Sequence, residues 1–168
     1  SSRKEQLKQI QHLITSLQAD YAIQGLSDAE RIDWQLIAVL QALLNNFTII
    51  TGGPGTGKTT TLAKLLILLF ELSPDTAIAL AAPTGKAAMR MHDALKNSTL
   101  PFATATKQKI DHLKPSTIHS LLGYKNDSVN FKYHAQHPLP YDWVVVDEAS
   151  MIDLPLFAKL LDALAPHT

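Results

Sequence analysis

Residues 52–59 read GGPGTGKT and fill every fixed position of the pattern Gly-x-x-x-x-Gly-Lys-Thr. Gly52, Gly53, Gly55 and Gly57 let the backbone bend until successive N–H groups face inward. Set at the start of a helix, such a turn is a nest for an anion. Lys58 adds a mobile positive charge suited to β and γ phosphates, and Thr59 offers a hydroxyl to Mg²⁺. Pro54, Thr56 and Thr60 complete the segment expected to line a nucleoside triphosphate. A chance match to four fixed positions should occur in on the order of one chain per hundred of this length. A plain glycine-rich turn with an exposed lysine is therefore the poorer reading.

The second candidate is the run VVVDE at 144–148, an apolar strand that delivers Asp147 and Glu148 at its carboxyl end. Asp147 would hold the Mg²⁺, commonly through water, while Glu148 would orient and deprotonate a water attacking the γ phosphate. Many strands simply end in surface acids, so the run gains its meaning from the loop at 52–59. Adjacent carboxylates also separate metal ligand from base, a division that a binding switch does not require.

Two further stretches carry polar groups at places where a chain turns. In APTGKAA, at 82–88, Pro83 and Gly85 make a turn, and Thr84 and Lys86 stand at a helix N-terminus. That is a second phosphate site, with a nucleic-acid backbone as its ligand, and a Thr-capped strand-to-helix turn is an equal alternative. In STIHSLLG, at 116–123, Thr117, His119 and Ser120 suit phosphate or base contacts. Taken alone, that stretch reads better as a capped short helix with an exposed His. The seven histidines show no ligand spacing backed by acids, and His134 and His137 are expected at the surface.

Positioning these groups requires an α/β framework. From Phe47 onward short apolar runs alternate with helical stretches, the pattern of a parallel sheet with helices on both faces. Strands are expected at 47–51, 77–82 and 143–148, and helices over 58–72, 86–96 and 154–164, the last with Pro155 in its first turn. The polar passage 97–141 holds two shorter helical candidates, at 104–113 and 116–122. Upstream, residues 3–18 form an amphipathic helix, and Ser27 with Glu30 makes a capping box that starts a helix running to Leu44.

Composition bounds the rest. The chain has 168 residues, 46% hydrophobic and 18% charged, with fifteen acids and fifteen bases, which is an ordinary globular balance with a sizeable core. Disulfides and thiolate metal sites are excluded because there is no cysteine, and the cytoplasm is the expected compartment. The longest apolar run, LLILLF at 65–70, is far short of the ~20 residues a membrane helix needs, so no membrane partner is expected.

Gln35, GGPGTGKTTT, AAPTGKAA, TIHSLLG and VVVDEASMIDLP, in that order, resemble the N-terminal ATPase lobe of superfamily 1 DNA helicases of the RecD group. The resemblance covers roughly residues 28–168 and implies a RecA-like P-loop NTPase fold, with ATP and Mg²⁺ as cofactors. It also implies 5′ to 3′ movement along single-stranded DNA and, inside the RecBCD exonuclease V complex, RecB and RecC as partners. By position, Gln35 resembles the glutamine that reads adenine; Thr84, Gly85 and Lys86, after Pro83, resemble motif Ia; and Thr117 and His119 resemble the next strand-contacting motif. Such helicases close ATP between two lobes, so the chain reads as an incomplete first lobe over 27–168, with 1–26 a linker from an upstream domain. A further strand is expected just after Thr168, and the piece should bind nucleotide better than it hydrolyses it. An AAA+ ATPase or a regulatory ATP-binding module is the alternative; PTGKAA and TIHSLLG argue against the former, Glu148 against the latter.

Overall fold

The computed structural model describes residues 15, 33–53, 55–98, 100, 104–124, 131–166 and 168. The helix expected over 3–18 lies outside the described residues apart from Thr15, which is helical and exposed. Two compact units divide the chain: Ser1–Pro74 with Leu100–Phe102, and Asp75–Thr99 with Ala103–Thr168.

In the first unit, α1 (Trp34–Leu44) packs on α2 (Lys58–Leu72). Leu36, Val39 and Ala42, three residues apart, form the buried stripe of α1. The capping box at Ser27 and Glu30 lies outside the described residues, and the helix start differs from the expected one. Asp33 is the cap, its Oδ1 accepting the Leu36 amide at 3.0 Å. Asp satisfies an orphan N–H as well as Ser does, so either residue type can end the search for a first turn. In α2, Thr61 and every residue from Ala63 to Phe70 are buried, as expected for a helix that is apolar nearly all round.

The strand expected at 47–51 does not form. Phe47, Ile49 and Ile50 are exposed, Ile49 by 72%, and the segment runs as irregular chain into the glycine-rich loop. β-branched residues supply strand propensity, but a strand exists only through hydrogen bonds to a neighbour, which local sequence does not encode.

The second unit is built on a parallel sheet of order β2-β1-β3: Ser116–Thr117, Ile78–Ala82 and Trp143–Val146. Ile78 to Ala81 pair in register with Trp143 to Val146, and Ala81 and Ala82 pair with Ser116 and Thr117. β1 is buried at all five positions, hence on both faces, as a central parallel strand should be. The Asp142 carboxylate closes the start of the ladder by accepting the Ala77 amide at 2.8 Å. β2 is the one strand not foreseen: it occupies the first two residues of an expected helix, and α5 (Ile118–Leu121) follows at once.

The remaining helices are α3 (Gly85–Lys96), α4 (Thr104–His112) and α6 (Leu154–Asp162), close to the expected ranges. Asp153 caps α6 by accepting the Leu156 amide at 2.8 Å, with Pro155 in the first turn. Ala79 and Ala81 of the sheet meet Ile118, Leu122, Leu139 and Leu160 in one core cluster. His134 and His137 are exposed and exchange two backbone hydrogen bonds, of 3.0 and 2.9 Å.

Leu139 reaches this core from irregular chain and is 1% exposed. Leu139→Ala should lower unfolding free energy by about 3 kcal/mol in urea titrations. A loss below about 1 kcal/mol would mean that the segment carrying it is not anchored there.

Candidate functional site

In the first unit the glycine-rich loop leads directly into α2. Gly55 and Gly57 adopt φ of 75° and 79°, and Gly57 is the residue that caps the helix. Both need the left-handed region that glycine enters freely. Thr56 Oγ1 donates to the Gly53 carbonyl at 2.9 Å and stands so close to Gly52 that a Cβ there would lie 2.6 Å from it. Lys58 curls back over the loop, its Nζ donating to the carbonyls of Gly52 and Gly53 at 2.8 Å each. A phosphate oxygen carries more charge than a carbonyl and competes well for that ammonium. Thr59 and Thr60 are half-buried in the first turn of α2, and Pro54 lies outside the described residues.

Gln35, in the first turn of α1, joins this loop: its Nε2 donates to the Thr56 carbonyl at 3.3 Å, and a Cβ on Gly57 would collide with the same nitrogen. The start of α1 is fixed by Asp33, whose Oδ2 pairs with Lys64 Nζ of α2 at 2.6 Å. Burial pushes the Asp33 carboxyl up, but hydrogen bonds from Lys64 and the Leu36 amide, with the charge of Lys64, hold it below its ordinary value.

In the second unit, three turns leave the carboxyl edge of the sheet side by side. After β1, Thr84 caps α3 by accepting the Ala87 amide at 3.2 Å, and Thr84, Gly85 and Lys86 are exposed while Pro83 is half-buried. After β2, Thr117 caps α5 by accepting the Ser120 amide at 3.1 Å. His119 is exposed and packs against Tyr124 and Phe131, ring centroids 6.0 and 5.8 Å away. After β3, the Asp147 amide donates to Ala81 at 3.0 Å, which carries the ladder one residue further. Asp147 Oδ1 accepts the Glu148 amide at 2.8 Å, and Glu148 takes φ 51° and ψ 37°, the only left-handed non-glycine among the described residues. That conformation costs a side-chain-bearing residue about 1 kcal/mol.

The first unit thus unites Gln35 with the loop, and the second unites Thr84 to Lys86, Thr117, His119, Asp147 and Glu148 along one edge. The Thr59 hydroxyl of the first unit and the Asp147 carboxylate of the second are each a hard oxygen group of the kind Mg²⁺ takes. Among the described residues no group of three or more His, Asp or Glu could hold a metal without help from a ligand. Sequence reasoning missed Asp33, Lys64, Tyr124 and Phe131. Only Lys64 left a trace, as the one charge inside the run LAKLLILLF.

A loop of left-handed glycines at a helix start, in a chain with a parallel sheet, is the phosphate-binding arrangement of P-loop NTPases, and this chain is one. Residues 35–168 match a family model described as an AAA domain, and the chain belongs to that family. It is similar to the RecBCD enzyme subunit RecD of Haemophilus influenzae, 48% identical over 83% of this chain and 23% of that protein. The RecBCD enzyme subunit RecD of Mycolicibacterium smegmatis is 44% identical over 80% of this chain and 25% of the relative. An ATP-dependent RecD2 DNA helicase of Deinococcus radiodurans is 34% identical over 86% of this chain and 17% of the relative. The chain therefore spans about a quarter or less of the relatives it matches.

Two outcomes follow from the first unit. Gly57→Ala forces a Cβ into a left-handed position and against Gln35, so nucleotide binding measured by titration calorimetry should weaken roughly tenfold or more. The Asp33 pair stabilises fully above the ordinary carboxylate range and loses its effect as pH falls through the lowered folded value. Asp33→Asn should therefore flatten the loss of stability below about pH 4 in acid unfolding curves.

Proposed function

We propose that this chain is the ATP-binding motor lobe of an ATP-dependent DNA helicase of the RecD type. The observation that carries the reading is the carboxyl edge of the sheet. Its central and flanking strands end in Thr84 to Lys86, Thr117 to His119 and Asp147 to Glu148, the groups expected to meet a DNA strand and a reacting phosphate. Relatives named RecD and RecD2 support the same reading over more than three-quarters of the chain. In this reading residues 27–168 belong to the first motor lobe. The parent moves 5′ to 3′ on single-stranded DNA, works in the cytoplasm and assembles with RecB and RecC in a RecBCD enzyme. No helix among the described residues is long and apolar enough to cross a membrane.

Gly52, Gly53 and Gly55 to Thr60 wrap the triphosphate with backbone N–H groups, and Lys58 exchanges its two carbonyl partners for β- and γ-phosphate oxygens. Gln35 reads the adenine. Thr59 and Asp147 would hold Mg²⁺, which when bound would supply positive charge to offset that developing on the phosphate oxygens. Glu148 accepts the proton of the attacking water. Thr84, Gly85, Lys86, Thr117 and His119 hold the DNA strand through phosphate and base contacts.

A second reading, an AAA-type or regulatory ATP-binding module without translocation, draws on the description of the matched family. Phosphate release with and without oligodeoxythymidylate separates the two. In the full-length protein, Lys58→Gln should reduce DNA-stimulated turnover about a hundredfold or more. Turnover that is brisk and indifferent to DNA in the unaltered protein would favour the second reading, and unchanged turnover in the variant would remove both.

A further inference from the structure

Lys64 stands in the middle of the apolar helix α2 and is 2% exposed. An ammonium so deeply placed needs a partner with its charge, and an apolar residue of similar volume would fill the same space without desolvation. What the charge adds is direction. Its partner Asp33 uses one oxygen for Lys64 at 2.6 Å and the other for the Leu36 amide at 3.0 Å, so a single carboxylate fastens the first turn of α1 to a fixed point on α2. Gln35 belongs to that first turn, and its Nε2 reaches the Thr56 carbonyl over Gly57. Leu36, Val39 and Ala42 hold α1 against its neighbour, but apolar contacts tolerate a helix sliding or turning in a way that two hydrogen bonds to one carboxylate do not.

We propose that the Asp33–Lys64 pair is a positioning device for Gln35, and that it sets how strongly the nucleotide site selects adenine over other purines. The inference rests on Gln35 being the residue that reads adenine. The pair acts through Gln35, so its effect is felt at the base and not at the phosphates.

The test uses the full-length protein with ATP and ITP, which differ at the 6-amino group whose N–H would donate to a glutamine carbonyl. Lys64→Met alone leaves Asp33 unpaired, so the double variant Asp33→Asn/Lys64→Met, which keeps the volume and removes both charges, is measured beside it. Both should lower the ratio of kcat/KM for ATP over ITP by roughly fivefold, the worth of one neutral hydrogen bond. The change should lie in the KM for ATP, with kcat at saturation and the KM for ITP within about twofold of the unaltered protein. Loss of both nucleotides together would make the pair a fold element only and overturn the proposal. Gln35→Ala serves as the reference. If it lowers the ratio and the double variant does not, the pair is not the positioning device, while the reading of Gln35 stands. Should Gln35→Ala leave the ratio unchanged, the adenine reading fails and the proposal fails with it.

Discussion

Parallel pairing on both sides of β1 is the constraint on which the second unit depends. Strands that run in one direction end on one edge, and here the registers agree: Ala81 is matched by Ser116 on one side and by Val146 on the other. All three turns therefore leave the sheet at nearly the same height. With strands about 5 Å apart, the outer two turns flank the central one within a span of about 10 Å. Thr84, Thr117 and Asp147 owe their proximity to backbone hydrogen bonds between residues distant in sequence. Core residues such as Ile118 and Leu139 matter to the site because they keep that ladder flat against its helices.

The loop of the first unit follows a different logic. Its shape comes from residues within a few positions of one another, with glycines at left-handed φ and Thr56 and Lys58 bonded to the carbonyls of Gly52 and Gly53. Local encoding of this kind makes a motif recognisable in any chain. Attachment of the loop to Gln35 is long-range, and depends on how α1 is seated on α2.

That contrast explains what could be read beforehand. The shape of the loop was legible because Gly55 and Gly57 meet a backbone requirement, and Lys58 a charge requirement, at their own positions. The strands expected at 77–82 and 143–148 were legible as continuous apolar stretches of strand length; they form at 78–82, buried throughout, and at 143–146, half-buried. The run at 47–51 looked the same and is not a strand, since propensity says nothing about a partner. β2 was missed because two residues, Ser116 and Thr117, are too few to show a period. The start of α1 was misplaced because Ser27 and Asp33 are equally good caps on paper, and the pairing of Asp33 with Lys64, thirty-one positions away, leaves no local mark. His119 was visible beforehand only as a polar residue near a turn, whereas its ring neighbours Tyr124 and Phe131 emerge only once the chain is folded.

The left-handed backbone at Glu148 also governs how that residue can be interrogated. A glutamine keeps the size of the side chain and the strained dihedrals, so a change in rate reports on the lost carboxylate alone. A glycine would relax the turn after β3 and alter the aim of the Asp147 peptide at the same time, mixing geometry with chemistry. Valine or isoleucine would add a branched Cβ to a conformation that already disfavours any Cβ. Only the isosteric amide separates the carboxylate from the bend that presents it.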